Sequence, residues 1–131
     1  MITTIYTDGS CRNKRGGYAY VIITDMYDIY WSDSVKEDTT NNRMELKAVI
    51  EALKTLKQAH CMIYSDSQWV INCALRKWKR NKNLDLWKEY EVVSSQQKVV
   101  DFQWVKGHSN DKYNEICDKL AFKEMNDVSL L

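Results

Sequence analysis

Five side chains carry the chemistry this sequence offers: Asp8 in "YTDGSC", Glu45 in "NNRMELKA", Asp66 in "YSDSQW", His108 in "WVKGHS" and Asp118 in "NEICDKLA". Each has an ordinary reading when taken alone. Asp8-Gly9 is a turn pair, because Gly accepts positive φ and Asp folds back on its own backbone. Asn42-x-x-Glu45 fits a capping box, with Glu45 reaching back to the Asn42 backbone N–H. Asp66 reads as a helix cap, Asp118 as a solvated helical acid and His108 as a surface group on a loop. Taken together they read differently. Carboxylates within ~4–6 Å of one another raise each other's pKa by whole units unless something neutralises them. Magnesium takes oxygen ligands and keeps several waters, so a few carboxylates suffice to hold it. Two such ions ~4 Å apart activate a water and stabilise the leaving oxygen of a phosphodiester. A histidine beside them has a pKa suited to moving a proton near neutral pH.

Bringing these residues together requires particular elements, and hydrophobic periodicity supplies them. Residues 2–8 read as a strand closed by Asp8, with Gly9-Ser10 turning the chain away. "YAYVIIT" after Gly16-Gly17 is a second strand, and "IYWSDSV" after a turn at 24–28 is a third, forming an antiparallel meander. From Asn42 to Leu56 the apolar residues fall at 46, 49, 50, 53 and 56, which is helical spacing. That spacing puts Glu45 on the face of Val49, Ala52 and Leu53, where an unpartnered acid costs free energy. A strand at 61–66 follows, closed by Asp66. Helices at 67–78 and 84–93, a strand at 98–105 and a helix at 111–125 complete the order. The class is α/β, and the later strands need helical crossovers, so they run parallel to a neighbour. If the strands ending at Asp8 and Asp66 are adjacent, both carboxylates meet at one rim of a mixed sheet.

The formal net charge is only +1, so no global field draws this protein to nucleic acid, and any footprint must be local. Two basic clusters qualify. Arg12, Lys14 and Arg15 lie beside Asp8. "RKWKRNKN" (76–83) gathers Arg76, Lys77, Lys79, Arg80 and Lys82 around Trp78. The second reads either as a solvated helix end or as a phosphate-contacting surface with an aromatic platform. Cys11, Cys61, Cys73 and Cys117 show no C-x-x-C spacing and read as reduced thiols. No basic, then apolar, leader opens the chain, and the longest apolar run, 18–23, is too short to cross a bilayer. The expectation is a single cytoplasmic domain over residues 1–131 with no membrane partner.

Six segments in order, "YTDGSC", "TTNNRMELKAVIEAL", "YSDSQWVIN", "LDLW", "WVKGHS" and "NEICDKLA", resemble type 1 ribonuclease H over roughly residues 5 to 122. The resemblance implies a ribonuclease H-like fold: a five-stranded mixed sheet, three strands antiparallel then two parallel, order 3-2-1-4-5, flanked by helices. It implies one ribonuclease H domain with no separate hybrid-binding domain. The implied activity is endonucleolytic hydrolysis of the RNA strand of RNA–DNA hybrids with two Mg2+ ions, Mn2+ substituting, leaving 5′-phosphate and 3′-hydroxyl ends. A monomer without a small-molecule cofactor is expected. By motif, Asp8, Glu45, Asp66 and Asp118 would hold the metals, and His108 would transfer a proton or assist product release. Glu115, one turn before Asp118, would help at the metal edge. Cys11, Asn41, Asn42 and Gln68 match positions facing the hybrid's minor groove, where 2′-OH groups distinguish RNA from DNA. Asn13 is a further candidate there, out of step by one residue. Thr40 and Asn83 match a pocket for a DNA-strand phosphate, and Arg76, Lys77, Lys79 and Arg80 are candidate basic contacts. Three features depart from the family pattern: the short loop "RNKRGG", Asp38 where some members carry Arg, and a basic protrusion reduced to "RKWKRNKN". A nuclease of this fold acting on DNA, or a non-catalytic binding module, are the competing readings.

Overall fold

The computed structural model describes residues 1–107 and 110–128, with the backbone alone at 127 and 128. Its elements are β1 (Ile2–Arg12), β2 (Arg15–Ile23), β3 (Asp28–Val35), α1 (Asn41–Lys54), β4 (His60–Ser65), α2 (Gln68–Ala74), α3 (Leu84–Ser95), β5 (Val99–Trp104) and α4 (Lys112–Val128). The strands form one sheet in the order β3-β2-β1-β4-β5. β1–β2 and β2–β3 are antiparallel, and β1–β4 and β4–β5 are parallel. This is the mixed sheet expected from the sequence.

The expected turn at Asp8-Gly9 does not form. β1 continues through it, with Asp8 opposite Ala19 and Gly9 opposite Tyr18, as far as Arg12 opposite Arg15. The chain reverses instead at Asn13 and Lys14, both at positive φ (53° and 65°). Two left-handed residues in a two-residue hairpin loop match the twist of the flanking strands. Gly9 has no positive φ, and its role lies elsewhere. A Cβ there would sit 2.4 Å from the Glu45 nitrogen and the Met44 carbonyl carbon, so its hydrogen lets β1 and α1 touch backbone to backbone.

The helices cover both faces of the sheet. A Cβ on Gly16 would meet Met44 of α1, and one on Gly17 would meet Ala121 and Met125 of α4. Successive strand residues point to opposite faces, so α1 and α4 lie on opposite sides of β2. The larger core lies on the α1 side. There Ile5, Ile22, Leu46, Val49, Ile50, Leu53 and Ile63 are buried together with Val70 of α2 and Trp87 and Tyr90 of α3. α2 is shorter than the expected 67–78. It ends at Ala74 in a Schellman motif, with Arg76 left-handed (φ 62°), its N–H on the Cys73 carbonyl and the Lys77 N–H on the Asn72 carbonyl. The basic segment 76–83 is therefore a loop, not a helix end.

Candidate active site

The parallel ladder of β1 and β4 ends at Tyr6 opposite Tyr64. Two residues further on each chain stand Asp8 and Asp66. Asp8 remains in the β1–β2 hairpin and accepts a hydrogen bond from the Gly9 N–H on Oδ1 at 2.9 Å. Its carboxylate is thus held on regular strand, not on a turn. Asp66 lies just past β4, and its carbonyl accepts from Trp104 Nε1 at 3.2 Å. The cap of α2 is Ser67, whose Oγ accepts from the Val70 N–H at 3.1 Å, so Asp66 has no capping duty. The capping box expected for Asn42 and Glu45 is likewise absent. Thr40 caps α1, with Oγ1 accepting from the Arg43 N–H at 3.2 Å. Starting two residues early places Glu45 beyond the capped turn and turns it inward, where it is 5% exposed.

Carboxylate oxygens of Asp8, Glu45 and Asp66 lie within 4.8 Å of one another. They line an open pocket of about 380 Å³ together with Asp118, Asn41, Asn42, Ser10 and Ser67. Burial, then the Asp66 charge, then Asp118, push the Asp8 carboxyl up to about 8, against 3.8 ordinarily. Glu45 is raised well above its usual value by burial and by the charges of Asp8 and Asp66. Asp8 Oδ2 and Glu45 Oε2 are buried with no hydrogen-bond partner. Buried carboxylate oxygens without donors are costly, and a divalent cation removes both the cost and the repulsion. An all-oxygen donor set on three elements, open to water on one side, suits Mg2+ or Mn2+.

The other expected site residues are placed unevenly. Asn41 and Asn42 open α1 at the lip of the carboxylate pocket. Gln68 opens α2 next to Ser67 and is exposed. Cys11, next to last in β1, is half-buried, its thiol donating to the Thr39 carbonyl at 3.5 Å. Asn13 lies in the hairpin turn and lines a separate pocket with Arg12, Arg15, Met125 and Asn126, so the fold does not bring it to the carboxylates. Asn83 is left-handed (φ 58°), and its side-chain oxygen accepts from Arg43 Nη1 at 3.1 Å. Arg43 also pairs bidentately with Asp85 at 3.0 and 2.7 Å, fastening the start of α1 to the start of α3. Glu115 is half-buried in the first turn of α4, where the Asp111 side chain caps the Asn114 N–H at 3.1 Å. Arg76, Lys77 and Lys79 are exposed. Arg80, expected beside them as a basic contact, is not: its side chain is 5% exposed and hydrogen-bonded inside the fold. His108 lies outside the described residues. Ser10, Ser67 and Arg43 were not singled out by the sequence reading. Arg43 alone carried a signal, as a lone cation between the Asn pair and Glu45.

A family model described as RNase H matches residues 2–126. A ribonuclease H of Wolbachia sp. subsp. Drosophila simulans (strain wRi) is 45% identical, covering 95% of each chain. That alignment runs over 142 positions although this chain has 131 residues, so the relative carries insertions. The ribonuclease HI of Campylobacter jejuni serotype O:2 is 42% identical over 89% of this chain and 86% of its own. Among solved structures, the N-terminal RNase H domain of a Mycobacterium tuberculosis protein superposes with a TM-score of 0.85 at 22% identity, covering 98% of this chain and 96% of that one. LC11-RNase H1, solved in complex with RNA/DNA hybrid, gives 0.82 at 19% identity, covering 98% and 99%. At these identities the solved structures speak to the fold, and the sequence matches speak to the family. The chain belongs to the ribonuclease H family of endoribonucleases.

Proposed function

We propose that this domain hydrolyses the RNA strand of RNA–DNA hybrids endonucleolytically, using two Mg2+ ions held by Asp8, Glu45, Asp66 and Asp118, with Mn2+ able to substitute. The observation that carries the reading is the meeting of three carboxylates within 4.8 Å, two of them with buried, unpartnered oxygens. Bound there, the ions would supply Lewis-acid activation of a water and neutralise charge on the departing oxygen. The remaining work falls to the chain. Asp8 and Glu45, whose carboxyls burial and neighbouring charge raise, would hold the ions in their ionised form and so give up protons to solvent on loading. In this reading water oxygen adds to phosphorus and sheds a proton to solvent as the bond to the 3′ oxygen breaks. His108 would give that oxygen a proton and be reprotonated from solvent, leaving 3′-hydroxyl and 5′-phosphate ends.

Selectivity in this reading comes from the pocket's lip. The Asn41 and Asn42 amides, with Cys11 and Gln68 nearby, hydrogen-bond 2′-OH groups across the minor groove. Thr40 and Asn83 receive a phosphate of the DNA strand, and Arg76, Lys77 and Lys79 add charge along it. Glu115 serves the metal edge. We read the enzyme as a cytoplasmic monomer. All four cysteines are free thiols, which suits a reducing compartment, and no helix among the described residues is long and apolar enough to cross a membrane.

The test is a time course on matched labelled duplexes (hybrid, DNA and RNA) with and without Mg2+, wild type against Asp66→Asn. The expected result is Mg2+-dependent cutting of the RNA strand of the hybrid alone, abolished by the substitution. Equal cutting of the DNA duplex, or undiminished turnover by Asp66→Asn, would overturn the proposal.

A further inference from the structure

Residues 75–83, which join α2 to α3, carry five cations and no helix or strand. Arg76, Lys77, Lys79 and Lys82 are exposed, as is Trp78 between them. Arg80 points the other way. Its Nε donates to the Cys73 carbonyl at 2.8 Å and its Nη2 to the Ala74 carbonyl at 3.1 Å, both in the last turn of α2. Its Nη1 pairs with Glu91 of α3, which also holds Arg76 at 3.3 Å. The guanidinium carbon lies 4.4 Å from the centre of the Trp87 ring and 5.6 Å from that of Tyr90, both core residues of α3. A planar fork can bond three acceptors and stack at once; an ammonium cannot. With its side chain only 5% exposed, this guanidinium offers little surface to a phosphate.

The segment is held at its far end too, because Asn83 bonds Arg43, which is locked on Asp85. Between two fixed points the intervening cations are presented in one shape. We propose that Arg80 is a positioning residue: it rivets the end of α2 to α3 and so preorganises Lys77, Trp78 and Lys79 to meet the backbone of a bound duplex. Preorganisation matters here because a loose loop must be ordered at the expense of binding. The inference rests on the reading of this domain as a hybrid-binding nuclease.

Arg80→Lys keeps the charge and removes the fork. In steady-state cleavage of a hybrid, run below the melting temperature of every variant, KM should rise several-fold with kcat unchanged. Amide exchange at 76–82 should accelerate. Exchange in the free protein separates rivet from contact: a phosphate ligand does not order the loop before the hybrid is present, and a rivet does. Unchanged KM in Arg80→Lys, or unchanged amide exchange at 76–82, would overturn the proposal. Wild-type protein that leaves the hybrid uncut would defeat the reading of the site instead. Exchange rates equal in wild type and Arg80→Lys would then still defeat the rivet on their own.

Discussion

Replacing Asp8 with Asn should stabilise the metal-free protein while destroying its activity. Burial and neighbouring charge raise the folded Asp8 carboxyl to about 8 from 3.8. A raised acid binds its proton more tightly folded than unfolded. The penalty is therefore absent below about pH 4, grows as pH rises, and is complete above about pH 8. At pH 7 the gap of roughly three units corresponds to about 4 kcal/mol, an upper bound because Glu45 shares the same repulsion. Asn carries no charge and removes this term. For a domain of this size each kcal/mol moves Tm by about 4 °C. Thermal melts in EDTA should therefore show Asp8→Asn several degrees above wild type at pH 8 and level with it near pH 4. Adding Mg2+ should raise wild type and leave the variant nearly still, since only a cation-binding folded state gains by linkage. A variant no more stable at pH 8, or a difference that does not change with pH, would refute the electrostatic reasoning.

Four further outcomes follow from particular residues. Gly9→Ala sets a Cβ against the backbone of Met44 and Glu45; it should cost about 1–3 kcal/mol by overpacking and lower Mg2+ affinity, and a variant with normal calorimetric metal binding would contradict this. Arg76→Gly relieves a left-handed φ of 62° and should gain up to about 1 kcal/mol in urea melts, despite losing an exposed pair with Glu91; a loss of stability would count against it. The short basic segment 76–83 should give weaker hybrid binding and a shallower salt dependence than a relative with a longer basic protrusion, and Asp38→Arg, at an exposed position near Arg43 and Lys47, should recover part of the affinity. An equal KM and salt slope in a side-by-side assay would refute the first statement, and an unchanged KM in Asp38→Arg the second.

Long-range placement was more legible in the sequence than local geometry. Helical spacing from Leu46 to Leu56 put Glu45 on the buried face, and the α/β order put Asp8 and Asp66 at one rim on the condition, which the family resemblance implied, that their strands are neighbours. Both inferences depend on periodicity and crossover rules that many residues enforce together. Single-residue details were less legible. Asp8-Gly9 carries a strong turn signal, yet Gly9 serves a helix thirty-odd residues away, and the true turn falls on Asn13-Lys14, where Lys has no turn preference. In "TTNNRMEL" four successive residues can cap a helix, and nothing local selects Thr40. By composition the cations of "RKWKRNKN" are equivalent. Only the ring faces of Trp87 and Tyr90 and two carbonyls of α2 decide that Arg80 is the buried one.

The carboxylate pocket must be a divalent-cation site if this domain is to cut a phosphodiester as proposed. Crystals grown with a hybrid bearing an uncut RNA strand and soaked in Mn2+ would test this by anomalous scattering. Peaks coordinated by Asp8, Glu45, Asp66 and Asp118 and touching a phosphate of the RNA strand are the predicted result. A hybrid seated on the domain with no ion among those four side chains would contradict it.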